Sequence, residues 1–340
     1  MEFLWESLLS ITWQQPVMYV VGGLLIWLAI EKGFEPALLL PMGFGAILVN
    51  LPTSGVINQV TAGVGETHGI IQWLFEVGIS ASEAMPILLF IGIGAMIDFG
   101  PLLANPKLFL CGAAAQAGIF LTILLAAALG FDMKDAASIG IIGAADGPTS
   151  ILVSQVLHSN YVGAIAVAAY SYMALVPIIQ PFAIKLVTTK KDRAMRMPYR
   201  AQGVSKRLRI LFPIIVSVIA GLVAPSSVAL VGFLMFGNLI RECGVLTTLS
   251  KTAQNELANL ITLLLGITIS FSMKADQFVK PETLLIMVLG LVAFVLDSVV
   301  GVLFVKVLNL FTPKNKINPM VGAAGISAFP MSSRVIEKLG

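Results

Sequence analysis

Charge is what this sequence has least of. Asp, Glu, Lys and Arg make up 11% of its 340 residues, where an ordinary soluble chain carries about 25%. Histidine occurs twice, as His68 and His158, with no metal-ligand grouping around either. Cysteine also occurs only twice, as Cys111 and Cys243; both lie in apolar surroundings without redox or metal spacing and read as small buried hydrophobes. No phosphate-binding glycine loop, nucleophile elbow or nucleotide fingerprint is present. These absences exclude a soluble enzyme of ordinary composition, a disordered chain and a nucleic-acid module. Aromatic residues are 8% of the chain, and the apolar runs do not alternate over about ten residues, which excludes a β-barrel.

What remains is apolar. Hydrophobic residues are 57% of the chain and its mean hydropathy is +0.94. Helices are then the way to pair every backbone amide inside lipid, and the expected fold is an all-α polytopic membrane protein. The opening stretch Met1–Glu6 is acidic and lacks the basic start of a cleaved leader, so the first helices are expected to belong to the mature protein. Eleven apolar segments are expected near 16–31, 36–51, 86–99, 107–130, 138–157, 161–185, 209–224, 226–240, 257–272, 282–309 and 317–334. The segments at 16–31, 36–51, 209–224 and 226–240 are short against the roughly 20 residues of a full span, which suggests half-membrane elements or tightly paired hairpins.

Between Lys185 and Arg209 stand nine of the 21 basic residues and one acid, Asp192. The positive-inside rule places this loop in the cytoplasm. It also separates two halves that repeat. Phe44-Gly45-Ala46-Ile47-Leu48 matches Phe236-Gly237-Asn238-Leu239-Ile240, Leu89-Phe90-Ile91-Gly92-Ile93 matches Leu263-Leu264-Leu265-Gly266-Ile267, and Gly143-Ala144-Ala145-Asp146 matches Gly322-Ala323-Ala324-Gly325. Three matches in one order imply a duplication, and such duplications mark transporter folds with inverted repeats whose site lies at mid-membrane. The expected units are residues 1–184, a linker at 185–209 and a second repeat at 210–340. On this scheme segment 161–185 has no mate before Gly340, so a further helix is expected beyond it. Residues 52–85 are expected to be a longer, polar connection of the first half.

Two interrupted segments carry the chemistry. In 138–157 the run is broken by Asp146-Gly147-Pro148-Thr149-Ser150. An acid in the apolar core costs on the order of 2.5–3.5 kcal/mol, while proline and glycine unwind the backbone around it. Hard oxygen ligands on a broken helix suit Na+ or a proton. In 317–334, Asn318 and Ser327 offer neutral oxygens, and Arg334 offers a fixed positive charge for a carboxylate. Tyr170 and Tyr172 both stand mid-way along 161–185, and spacing does not choose between them as a proton-handling phenol. Asp98, Asp297 and Lys306 are weaker candidates, Asp98 as a helix cap and the other two as separate charges too far apart to pair.

Those residues sit in strings that resemble one family: Phe34-Glu35-Pro36, Pro41-Met-Gly-Phe-Gly45, Gly94-Ala-Met-Ile-Asp98, Ile139-Gly-Ile-Ile-Gly143, Ala168-Ala-Tyr-Ser-Tyr172, Phe236-Gly-Asn-Leu-Ile240 and Lys316-Ile-Asn-Pro319. The chain is similar over nearly its whole length to the β subunits of the sodium-pumping, biotin-dependent decarboxylases, whose substrates include oxaloacetate, methylmalonyl-CoA and glutaconyl-CoA. The family more often has a second glycine where this chain has Ala144, and its members continue past the point where this chain ends. The resemblance implies a membrane carboxybiotin decarboxylase that couples decarboxylation to Na+ export and consumes a proton. It places the Na+- and proton-handling aspartate at Asp146, the functional tyrosine at Tyr172, and further site residues at Asn318, Gly322, Ser327 and Arg334. Asp146, Asn318, Gly322 and Ser327 would hold Na+, and Arg334 the carboxylate of carboxybiotin. It further implies a carboxyltransferase α subunit, a biotin carrier, a small single-span subunit, self-association within that complex, and a bacterial or archaeal cytoplasmic membrane. The short first connection is closer to the methylmalonyl-CoA and glutaconyl-CoA branch. The alternative from the residues alone is a Na+-coupled secondary transporter, an organic-anion symporter or antiporter, of the same fold.

Overall fold

A computed structural model of the chain describes residues 9–33, 36–61, 63, 65–81, 83–197, 204–312, 316–327 and 329–340. Helices follow the apolar segments closely: α1 (Gln14–Lys32), α2 (Pro36–Val49), α3 (Ile70–Ser80), α4 (Ala84–Met96), α5 (Phe109–Ala128), α6 (Met133–Gly140), α7 (Gly147–Val156), α8 (Val162–Val187), α9 (Lys206–Val223), α10 (Pro225–Cys243), α11 (Thr247–Met273), α12 (Pro281–Phe311) and α13 (Phe329–Leu339). Two short strands, β1 (Asn58–Thr61) and β2 (Gly65–His68), pair antiparallel before α3. The expectation of a plain polar connection at 52–85 is therefore corrected: it holds a hairpin and a helix.

Among the described residues, five helices are long and apolar enough to cross a membrane: α1, α5, α10, α11 and α12. Two bent pairs raise this to seven if each counts as one span, α3 with α4 at 63° and the two halves of α8 at 71°. The bend in α8 falls between Met173 and Leu175, where the ring of Pro177 collides with the carbonyl four residues earlier. Eleven apolar segments thus give fewer full spans, because several of the segments are short or broken.

The helices form two packed groups. In the first, α2 lies on α11, α4 lies on α10 and α11, and α1–α2 and α9–α10 are helical hairpins. Glycines set the crossings: a Cβ on Gly22 or Gly43 would strike the other's carbonyl, and one on Gly94 or Gly237 would strike the opposing backbone. Small residues of this kind let helices approach closely where lipid gives no hydrophobic drive. Asn50 ties α2 to the end of α11, its Nδ2 donating to the Met273 carbonyl at 2.8 Å and its Oδ1 accepting from Ala275 N at 2.7 Å. The second group packs α5, α6, α8 and the 3-10 segment Pro319–Gly325 on the long α12, with α7 and α13 packed on α8.

Both interrupted segments of this second group fold back on themselves. Asp135, near the start of α6, accepts from Ser159 Oγ at 2.7 Å and from Asn160 N at 2.9 Å, so the two ends of the stretch from α6 to α7 lie side by side. The other stretch behaves alike. Asn318 Nδ2 donates to the Arg193 carbonyl at 3.1 Å, and Gly340 lies beside that same carbonyl and the Met320 side chain. Both segments are interrupted, as the discontinuous helices of the sequence reading require, and each folds as a hairpin. They enter from opposite ends of α8, the first near Tyr161 and the second near Arg193.

Candidate functional site: two hairpin tips at a helix bend

The first hairpin turns through a 3-10 segment, Ile141–Ala144, and then through Ala145 in the left-handed region, at φ 51°. Asp146 follows in extended conformation and caps α7. Its Oδ2 accepts from Thr149 Oγ1 at 2.6 Å and its Oδ1 from Thr149 N at 3.4 Å, while Ser150 Oγ donates to its carbonyl at 2.7 Å. The residue is 8% exposed. None of the ion pairs among the described residues includes it. A buried carboxylate with free lone pairs and no protein cation is stable only with a proton or a metal cation.

The tip of the second hairpin adds one residue, Ile326, to a buried cluster that also holds Ala145 of the first. Ala145, Val176, Phe294 and Ile326 belong to one buried cluster, so Asp146 and Ser327 each sit next to a residue of that cluster, at the bend of α8. Ser327 is exposed and follows the 3-10 segment directly. Gly322 crosses Gly301 of α12 so closely that neither position has space for a Cβ. Asn318 stands at the other end of that segment, about 14 Å away at about 2 Å per residue. Its Oδ1 caps Met320 N at 3.0 Å and its Nδ2 donates to the carbonyls of Arg193 and Met195. The structure therefore holds Asn318 on the basic loop. Arg334 falls on α13 two residues after Ser332, and its side chain lies outside the described residues.

The two tyrosines are separated by the helix itself, since residues two apart point to nearly opposite faces. The ring of Tyr170 covers Gly147, next to Asp146, and its buried hydroxyl has no partner among the described residues. Tyr172 faces α12, packs on Gly290 and donates its hydroxyl to the Met287 carbonyl. Tyr170 is thus the phenol beside Asp146, whereas Tyr172, the functional tyrosine that the resemblance implies, faces α12.

A profile of the Na+-transporting oxaloacetate decarboxylase beta subunit matches residues 14–340. The chain belongs to that family. Among curated relatives, the oxaloacetate decarboxylase beta chain 2 of Salmonella typhi is 43% identical over 379 residues, covering 96% of this chain and 87% of the relative. The methylmalonyl-CoA decarboxylase subunit beta of Propionigenium modestum is 46% identical over 344 residues (95% and 85%), and the glutaconyl-CoA decarboxylase subunit beta of Acidaminococcus fermentans 46% over 335 residues (98% and 86%). With its apolar helices, this membership makes the chain a multi-pass membrane protein of a multi-subunit decarboxylase type.

Several charges of this family member resolve into structural roles. Asp98 Oδ1 accepts from Gly100 N at 2.8 Å and caps a short helix, as its position suggested. Lys306 pairs with Asp192 of the basic loop at 2.9 Å rather than with Asp297. Asp297 is fully buried between Gly118 and Gly143, with Oδ1 accepting from Ile119 N at 3.1 Å and Oδ2 unpaired among the described residues. Cys111 is buried and Cys243 partly so. No group of three or more His, Cys, Asp or Glu side chains placed to hold a metal occurs among the described residues.

Proposed function

We propose that this protein is the membrane carboxybiotin decarboxylase of a Na+ pump, in which loss of CO2 from carboxybiotin drives Na+ out of the cell and consumes a proton. The observation that carries the reading is Asp146, a buried carboxylate at the tip of the first hairpin with no cationic partner among the described residues, in a member of a Na+-transporting family. Asp146 and the hydroxyl of Ser327 bind Na+ there, with Gly322 allowing the second hairpin to close on α12. Asn318 holds that hairpin to the cytoplasmic loop in the present state and joins the site when the loop lets go. Tyr172 relays the proton; because its hydroxyl is committed to Met287, relay requires α8 to move against α12.

Carboxybiotin belongs to a partner's biotin carrier, and it supplies the carboxylate whose loss as CO2 provides the driving force. The residues near the second hairpin suit it. Gln180 Nε2 donates to Ser332 Oγ and to the Ala323 carbonyl, both at 2.9 Å, while its buried Oε1 has no partner among the described residues. That oxygen can accept a ureido N–H, and Arg334, a short way along α13, steers the carboxylate. The basic loop, residues 185–209, orients the chain with this side in the cytoplasm of a bacterial or archaeal cell, where the carrier and a carboxyltransferase α subunit dock. A small single-span subunit and further copies of this chain complete the assembly.

Packing of α2 on α11 and of α4 on α10 supports a pair of inverted repeats, residues 1–184 and 210–340 joined by the loop, since each half lends a helix to the other. The CoA-ester branch is favoured for the complex as a whole. The alignment with the glutaconyl-CoA relative spans 335 positions, whereas that with the oxaloacetate relative spans 379, more than the 340 residues of this chain, so the latter carries insertions. A Na+-coupled symporter finds no support among the relatives. The decisive test is purification of the native complex on avidin. Retention of this chain with a biotinylated subunit, and Na+-stimulated CO2 release, are the expected results; absence of both would return the symporter reading.

A further inference from the structure

The break between α3 and α4 holds a carboxylate that no part of the account above uses. Glu83 takes φ 50°, the same left-handed conformation as Ala145, in a position where a non-glycine residue is strained. It is 7% exposed, forms none of the ion pairs seen among the described residues, and does not cap the helix it precedes. Strain at a buried, uncompensated acid is tolerated where the acid has work to do.

Its surroundings point to that work. Tyr170, fully buried and with its hydroxyl unpartnered among the described residues, covers Gly147 next to Asp146, and α7, which begins at Gly147, also touches α4, which begins right after Glu83. Ile79, just before the break, shares a buried cluster with Tyr170 and with Ile151 of α7. Gln155 Nε2, at the end of α7, reaches the Ser80 carbonyl at 3.4 Å. That end of α7 lies beside the start of α8, opposite the basic loop, so Glu83 is displaced from Asp146 towards the outer face. It also lies on the seam between the two packed groups, since α3 and α4 belong to the first and α7 and α8 to the second.

We propose that Glu83, with the hydroxyl oxygen of Tyr170, forms a second monovalent-cation position on the outward side of Asp146. Na+ leaving Asp146 passes the phenol oxygen and rests on the Glu83 carboxylate before release. Charge and position account for this step: an anion on the exit side lowers the barrier to moving a cation off the first carboxylate. Glu83 is a cation ligand in this scheme, and the scheme rests on Asp146 binding Na+.

Equilibrium binding of 22Na+ to the purified complex tests the two ideas separately. Glu83→Gln removes one bound Na+ per chain, or raises the half-saturating Na+ of that component about tenfold or more, as loss of one charge at a short distance predicts. Glu83→Asp, which keeps the charge, recovers most of the binding, and Tyr170→Phe weakens the same component about threefold to fivefold, a smaller loss because only one neutral oxygen goes. Wild-type stoichiometry and affinity in Glu83→Gln overturn the proposal while leaving Asp146 untouched. Should Glu83→Gln fail to assemble, unchanged binding in Tyr170→Phe overturns it instead. Unaltered binding in Asp146→Asn would show that the underlying site reading is itself wrong.

Discussion

Gly147 shows how narrow the tolerances are at the level of single residues. A Cβ added there would stand 2.5 Å from the ring carbons of Tyr170, so the ring or the hairpin must shift. Gly147→Ala is expected to cost about 1–3 kcal/mol, the range for overpacking a filled core, seen as a lower unfolding temperature in detergent. The same shift moves Asp146, so half-saturating Na+ rises as well. Asp146 was legible from the sequence because an acid followed by glycine and proline has no bland place in an apolar run. Glu83 was not: it stands beside a polar stretch, and only its burial and its left-handed backbone set it apart. The choice between Tyr170 and Tyr172 was equally invisible, since it depends on which face of α8 meets α7 and which meets α12.

Elements couple the basic loop to the second hairpin. Thr189 and Asp192 form a capping box, Asp192 pairs with Lys306 of α12, and Asn318 holds the carbonyls of Arg193 and Met195. The backbone N–H of Thr189, and then Lys306, hold the Asp192 carboxyl down at about 2, below the ordinary 3.8. A depressed carboxyl stabilises the fold fully above about pH 4 and loses that contribution as pH falls towards 2. Hydrogen exchange over residues 190–197 is therefore expected to stay slow and flat from neutral pH down to about 4, after correction for intrinsic rates, and to quicken below that. Lys306→Gln should quicken it already at neutral pH; no change in either case contradicts the latch. At this scale apolar runs bounded by glycine, proline and charge located most helices to within a few residues, but α11 begins at Thr247, ten residues before the expected segment, and α3 was not foreseen. The sequence was silent on the fold-back of the interrupted segments. That depends on Asp135 meeting Ser159 and Asn160, and on Asn318 and Gly340 meeting Arg193, contacts between distant positions that no local period encodes.

For the whole molecule, re-entrant hairpins from opposite faces make a topological prediction. In a background lacking Cys111 and Cys243, a cysteine at Asn160 is expected to react with an impermeant thiol reagent only from outside intact cells. A cysteine at Lys338 is expected to react only in inverted membrane vesicles. Labelling of both from one side contradicts the opposed entry of the two hairpins. The packing of α2 on α11 and of α10 on α4 joins the two halves of the chain, and these contacts were not legible in the three short matches.

The account stands on one carboxylate serving both chemistry and transport. The most direct measurement is simultaneous 22Na+ uptake and CO2 release by proteoliposomes containing the complex with Asp146→Asn, energised by its acyl substrate. The expected result is loss of both by about a hundredfold or more, the scale for removing a charge that binds the transported ion, with the complex still assembled on avidin. Full Na+-dependent CO2 release accompanied by Na+ uptake in that variant would contradict it.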